Sequence, residues 1–158
     1  MKKKMVLDQG LSRRRFLQAA GGCALVAGCE VAEIRVTSSS VGGDFSFDVN
    51  TPEFEELKTL GGILARNSGS KKLIMIRTSQ TEVVTLDRIC PHQQCPMTPG
   101  VGEWLSANNT LRCNCHGSEF RADGTYVDGT VSDGLKVPDL GAYPTTFDAS
   151  TGLGEVLV

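Results

Sequence analysis

The sequence contains no run of apolar residues long enough to cross a bilayer. None of its apolar stretches reaches 18 residues, whereas a transmembrane helix needs about 20. Positive charge is also scarce beyond the N-terminus. Residues 1–28 hold six of the 16 Lys and Arg residues but one of the 18 Asp and Glu residues, so the remainder has a net charge near −7. Such a remainder has no broad basic face and no nucleic-acid-binding motif, so we predict no nucleic-acid partner.

The first 29 residues have the layout of an export signal, in which a basic opening precedes a short apolar stretch. Residues 12–17, Ser-Arg-Arg-Arg-Phe-Leu, resemble a twin-arginine signal, a route associated with folded and often cofactor-loaded proteins. Residues 25–29 resemble a bacterial lipobox, so we expect cleavage before Cys29 and lipidation of its thiol. A retained leader that acts as a signal anchor, or cleavage by an ordinary peptidase, is the alternative. Either way, we expect an exported protein at the periplasmic face of the bacterial cytoplasmic membrane.

The rest of the chain predicts a flexible tether followed by an all-β domain. Residues 30–43 are polar and small, as in a tether. From residue 44 to residue 158, short apolar runs are separated by Gly, Pro, Asn and Asp, which predicts a small antiparallel barrel or sandwich. Pro52 and the acids after it predict one or two helical turns. The candidate strands are residues 45–47, 62–66, 72–77, 82–86, 110–112, 118–121, 126–127, 142–147 and 154–158, with 72–77 and 82–86 as a hairpin.

Four of the six cysteines and both histidines fall in two short segments of this domain. Residues 90–95 read Cys-Pro-His-Gln-Gln-Cys and residues 113–118 read Cys-Asn-Cys-His-Gly-Ser. Each segment offers a thiolate and an imidazole at short spacing, so two loops at the tips of neighbouring hairpins can aim four ligands at one metal centre. Tetrahedral zinc also accepts Cys and His pairs. A zinc ribbon is therefore the alternative left by spacing alone, although zinc does not need the two extra cysteines.

The two segments resemble the cluster-binding boxes of Rieske iron-sulfur proteins, Cys-x-His-x-x-Cys and Cys-x-Cys-His-Gly-Ser. The resemblance implies one 2Fe-2S cluster, held by two loops at the tip of the domain. Two cysteines would bind one iron and two histidines the other, an arrangement that places the potential at about −150 to +300 mV. Carried over by position, Cys90 and Cys113 would bind the first iron, and His92 and His116 the second.

The same resemblance implies a disulfide and a hydrogen-bond donor beside the cluster. The spare cysteines, Cys95 and Cys115, would form the disulfide of the high-potential branch, which suits an exported protein. Ser118 would donate its hydroxyl to a bridging sulfide and raise the potential. Quinol-oxidising members usually have a tyrosine where this chain has Phe120, and Leu-Gly where it has residues 93–94, Gln-Gln. These departures imply a potential below the top of the range. Residues 134–138 are a candidate third loop over the cluster or an ordinary turn.

A Rieske protein transfers one electron at a time, so its function depends on its partners. The leading hypothesis is the membrane-anchored iron-sulfur subunit of a cytochrome bc-type quinol oxidoreductase. Its partners would be a membrane quinol, a cytochrome and the other subunits of the complex. An imidazole at the solvent edge, His92 or His116, would accept the quinol's hydrogen bond as the catalytic group. The alternatives are the small subunit of an exported molybdenum enzyme resembling arsenite oxidase, or a stand-alone lipoprotein electron carrier.

Overall fold

A computed structural model of the chain describes residues 44–128, 130 and 134–158. The predicted export signal, the lipobox with Cys29 and the tether lie outside the described residues. Within them, no helix is long and apolar enough to cross a membrane. The described part of the chain contains ten strands, and a short 3-10 helix, Pro52–Lys58, follows the first of them. The strands are β1 Phe45–Asp48, β2 Ile63–Ser68, β3 Lys71–Ser79, β4 Glu82–Asp87, β5 Gly102–Leu105, β6 Thr110–Cys113, β7 Glu119–Arg121, β8 Ala142–Tyr143, β9 Thr145–Asp148 and β10 Leu153–Val156.

The strands form three antiparallel sheets, which confirms the all-β prediction. The orders are β1-β10-β9, β2-β3-β4-β8 and β5-β6-β7. The predicted hairpin is β3–β4, in which Ile74 faces Leu86 across the ladder. The predicted helical turns are also present, with Phe54 and Leu57 buried beneath them. The third sheet carries the second Cys-His segment at the end of β6.

Strand β3 separates two hydrophobic cores. Its buried run alternates between them, because successive side chains of a strand point to opposite faces. Ile74 and Ile76 pack into the first core, whereas Met75 packs into the second. The first core also contains Cys90 and Cys113. The metal-binding segments are therefore rooted in the first core, and the second core lies under the β1-β10-β9 sheet and the helix.

Two strand predictions differ from the structure, and one strand has no predicted counterpart. Strand β5 was not predicted, because residues 102–105, Gly-Glu-Trp-Leu, lack a β-branched run. Residues 126–127 form no strand, and Tyr126 makes one bridge with Phe120. The predicted strand 142–147 is split at Pro144 into β8 and β9. Proline lacks the N–H group that a continuous ladder would use.

Candidate metal centre

The first Cys-His segment is a closed loop between β4 and β5. The Cys90 N–H donates to the Cys95 carbonyl at 2.9 Å, and the Gln94 N–H donates back to the Cys90 carbonyl at 2.9 Å. The Met97 N–H donates to the Arg88 carbonyl at 2.8 Å, which closes the base of the loop. These bonds hold the loop around Cys90 and turn its tip outward.

The second segment is a tight turn between β6 and β7. The Cys113 N–H donates to the Ser118 carbonyl at 2.8 Å, and the Gly117 N–H donates to the Cys113 carbonyl at 2.9 Å. Gly117 has φ of +86°, a backbone conformation that favours glycine. The Asn114 N–H donates to the Val101 carbonyl at 2.8 Å and so joins this turn to the end of the first loop.

The two loops separate the candidate ligands by depth. Cys90 and Cys113 are each 1% exposed and belong to the first core. His92 is half-buried and His116 is exposed, and their ring centroids lie 5.0 Å apart with the rings nearly perpendicular. The structure thus brings together the four residues that the sequence pattern selected, with the thiols inside and the imidazoles at the surface.

The two buried thiols interact directly. A hydrogen bond from the Cys113 thiol lowers the pKa of Cys90 to about 6 despite its burial. The hydrogen bond with Cys90 and the burial of Cys113 raise the pKa of the second thiol. One proton is therefore retained between the two sulfurs when the first thiol ionises. Metal binding removes that proton, because the thiolate is the form that binds a metal.

The structure contains the predicted disulfide between Cys95 and Cys115, whose Cα atoms are 6.6 Å apart. It covalently joins the two loops beside the buried thiols. The Sγ atom of Cys113 lies within 4.8 Å of both disulfide sulfurs. This trio does not form a zinc site, since two of its three sulfurs are already bonded to each other.

Ser118 provides a buried hydroxyl next to the thiols. The residue is fully buried, and its Oγ atom has no hydrogen-bond partner of normal geometry within the described part of the chain. The hydroxyl is nonetheless close enough to Cys90 to contribute to the lowering of its pKa. A buried hydroxyl without a partner costs about 1–3 kcal/mol. An acceptor beside Cys90, such as a cluster sulfide, would satisfy it.

Thr130 supports the second loop, although no sequence pattern indicates this role. Its hydroxyl accepts a hydrogen bond from the Glu119 N–H at 3.1 Å and donates to the Val127 carbonyl at 2.8 Å. Its carbonyl borders the second loop, 3.4 Å from the position that a Cβ atom on Gly117 would take. A single threonine in a polar turn carries no sequence signal for this role. Within residues 134–138, Val137 packs into the core that contains both free cysteines.

Two thiols and two imidazoles, with an unsatisfied hydroxyl beside them, fit the ligands of a 2Fe-2S cluster of the mixed type. The family model for the Rieske [2Fe-2S] domain matches residues 50–139. The chain belongs to the Rieske family. One 2Fe-2S cluster is therefore its cofactor, and electron transfer is its general role.

Known Rieske proteins resemble this chain in sequence and in fold. The chain is 36% identical over 80 residues to the chloroplast cytochrome b6-f complex iron-sulfur subunit of Chlamydomonas reinhardtii. That match covers 48% of this chain and 36% of the relative, so the chain spans about a third of the relative's length. Among solved structures, the ferredoxin of carbazole 1,9a-dioxygenase from Nocardioides aromaticivorans has a TM-score of 0.51 at 16% identity, covering 63% of this chain and 86% of the ferredoxin. Dicamba monooxygenase has a TM-score of 0.54 at 21% identity, covering 73% and 34%.

Gln94 stores backbone strain in the first loop of this Rieske domain. Its φ is +57°, the left-handed region that glycine adopts without penalty. We expect Gln94→Gly to raise the free energy of unfolding by about 0.5–1 kcal/mol, as measured by urea denaturation. Gln93→Gly is the matched control: position 93 lacks a positive φ, so this change should lower stability. Changes of the same sign at both positions would contradict the interpretation.

Proposed function

We propose that this chain is a membrane-anchored one-electron carrier, the iron-sulfur subunit of a quinol:cytochrome oxidoreductase. In this proposal Cys90 and Cys113 bind one iron, and His92 and His116 bind the other. The observation that carries it is the depth of the ligands, since both thiols are buried and both imidazoles reach the surface. The likeness to cytochrome b6-f iron-sulfur subunits supports the choice of partners.

When bound, the cluster supplies a centre that takes up and releases one electron at a time. The residues of the chain control access to it. The buried thiols keep water away from the sulfur side, and the imidazoles of His92 and His116 present the side that a quinol can reach. An imidazole at the surface accepts the hydrogen bond of the quinol hydroxyl and then its proton, so the proton and the electron leave together.

The location that we propose is the periplasmic face of the cytoplasmic membrane. The basis is the sequence of residues 1–29, which resembles a twin-arginine signal with a lipobox at Cys29. Residues 30–43 would then be a tether that lets the domain move between donor and acceptor. Incorporation of a radioactive fatty acid into the protein and the mass of the mature N-terminus test this location. An unmodified N-terminus at another residue would contradict lipidation.

A second candidate is the small subunit of an exported molybdenum oxidoreductase or a stand-alone carrier. The favouring observation is that Gln93 and Gln94 are both exposed at the tip, beside His92. A polar tip fits a water-facing protein partner better than an apolar quinol pocket. A potential independent of pH, with no reaction with quinol, would favour this candidate over the first.

Redox titration of the full-length holoprotein, followed by low-temperature EPR at several pH values, tests the leading proposal. The reduced centre should give a rhombic signal, and its potential should fall as pH rises. Reduction adds negative charge beside the imidazoles, so the reduced protein holds its protons more tightly than the oxidised one. Absence of the signal in iron-replete protein would overturn the ligand assignment.

Ser118→Ala should lower the midpoint potential while the cluster is retained. The buried hydroxyl stabilises added negative charge, and a hydrogen bond to a charged group contributes about 1.5–3 kcal/mol. Because about 1.4 kcal/mol corresponds to 59 mV for one electron, the expected decrease is roughly 60–120 mV. The control is Ser106→Ala, at an exposed position in the β5–β6 turn. Equal shifts in both variants would show that Ser118 has no specific effect.

A further inference from the structure

The negative charge of the described domain is concentrated at one end. The segments 44–58 and 144–158 include the helix and the β1-β10-β9 sheet, and they hold seven acidic groups against one basic group, Lys58. Described residues between 59 and 143 hold eight basic and seven acidic groups. The acidic excess therefore surrounds the second core, whereas Cys90 and Cys113 belong to the first.

The two ligand loops contribute no fixed charge of their own. Apart from Cys and His, residues 89–102 and 113–118 include no ionisable side chain. The electrostatic potential at this surface is therefore set by the charged residues at the sides of the loops. On the side of the first loop, these are three basic residues and one acid: Lys71, Lys72, Arg88 and Asp87.

A groove connects two of these basic residues to the first ligand loop. It has a volume of about 360 Å³. Lys71 and Lys72 lie exposed at one side of it. Pro91, which precedes His92, and Gln94, two residues after His92, also line it. We call it the basic groove; its lining residues are Ser70, Lys71, Lys72, Asp87, Ile89, Pro91 and Gln94. The Arg88 N–H donates to the Lys72 carbonyl at 2.8 Å, which joins the lysine strand to the root of the loop.

Neither lysine of the basic groove forms an ion pair within 4.0 Å with a carboxylate of the described residues. Across residues 44–128, 130 and 134–158, the ion pair within 4.0 Å is Arg66 with Glu53. Asp87, the acid in the groove, accepts a hydrogen bond from the Tyr143 hydroxyl at 2.7 Å. The ammonium of Lys71 lies 5.6 Å from the centre of the Tyr143 ring. Asp87 thus partly offsets the charge of Lys71 through the shared Tyr143 hydroxyl, and the charge of Lys72 is available to an external partner.

We propose that the basic groove docks the acidic face of a redox partner protein and directs it to the surface imidazoles. The inference rests on the proposed electron-transfer function and specifies the partner as a protein with clustered Asp and Glu side chains. Two features select this partner. The groove attracts negative charge beside His92, and the acidic β1-β10-β9 end repels it, so the molecule turns its ligand loops toward the partner before contact.

Stopped-flow oxidation of the reduced full-length holoprotein by an acidic c-type cytochrome tests this docking. The second-order rate constant should fall as salt concentration rises, because salt screens the attraction. Lys72→Glu should lower the rate constant about fivefold at low salt, and the milder Lys72→Gln should lower it less. The matched control is Lys58→Glu, the same charge change at an exposed position on the acidic end. It should leave the rate constant within about twofold of the original.

Three results would overturn the proposal. One is an equal effect of Lys58→Glu and Lys72→Glu, which would indicate dependence on net charge alone. Another is a rate constant that rises with salt. The third is binding to phosphatidylcholine–phosphatidylglycerol vesicles that Lys72→Glu abolishes and Lys58→Glu does not, which would assign the groove to lipid. Oxidation by benzoquinone, a neutral oxidant, separates failure of the docking proposal from failure of the proposed electron-transfer function. If neither the cytochrome nor benzoquinone oxidises reduced protein that has a normal EPR signal, the electron-transfer function itself is wrong.

Discussion

His116→Ala is expected to abolish the 2Fe-2S cluster. His116 is exposed, and its ring lies 5.0 Å from that of His92, so its removal opens one iron position directly to water. Even the outer hydrogen-bond partners of metal ligands alter affinity about 10–100-fold. Loss of a ligand itself should therefore bring cluster content below detection. Cys90→Ala should have the same result from the buried side of the site.

The measurement is iron and acid-labile sulfide content per chain, together with the EPR signal of the reduced protein. Gln93→Ala is the control, since this residue is exposed, lies next to His92 and is not among the proposed ligands. It should retain a full cluster. Circular dichroism of the variants verifies that the β domain remains folded. Normal cluster content in a folded His116→Ala protein would refute the ligand assignment.

Cys95→Ala/Cys115→Ala should strongly destabilise the domain and make the cluster labile. The disulfide joins loops that are 20 residues apart in sequence and otherwise meet at few backbone bonds. A covalent loop of this size stabilises a folded chain by roughly 3 kcal/mol, mainly by restricting the unfolded state. We therefore expect the free energy of unfolding of the metal-free protein to fall by about this amount.

Urea denaturation of the metal-free protein measures the stability change, and loss of visible absorbance measures cluster release. The double variant should still accept a cluster, because Cys95 and Cys115 are outside the proposed ligand set. It should release the cluster faster than the unmodified protein does. Reduction of the disulfide with a mild reductant should reproduce the effect without mutation. Complete loss of the cluster at assembly would instead place one of these cysteines among the ligands.

The sequence predicted most strands because the alternation of side chains is visible locally. The β3–β4 hairpin has apolar, β-branched runs on both sides of a polar turn, and the structure has the same pairing. Strand β5 has no such local pattern. The backbone of its Gly102 packs closely against the side chains of Ile74 and Met97. A Cβ atom at position 102 would lie 3.1 Å from Ile74 and 3.2 Å from Met97. Close packing between sheets therefore explains this strand, and no single segment encodes it.

The candidate site was predicted for a different reason. Cluster chemistry restricts ligands to a few residue types at short spacing, so Cys90, His92, Cys113 and His116 stand out in a chain with only two histidines. The support by Thr130 was missed, because a hydroxyl that bonds across a turn has no distinctive pattern. The strain at Gln94 was missed too, since φ is a property of the folded loop.

The sequence by itself determined the cofactor class and the all-β architecture and predicted the donor set, because these depend on residue identity and local periodicity. The tertiary structure decided which donors are buried and which reach the surface. It also placed Lys71 and Lys72, some 20 residues earlier in the chain, beside the first loop. The burial of the two thiols and the position of the two lysines beside the first loop both depend on how β3 packs between the two cores. That packing joins segments distant in sequence, and no local pattern specifies it.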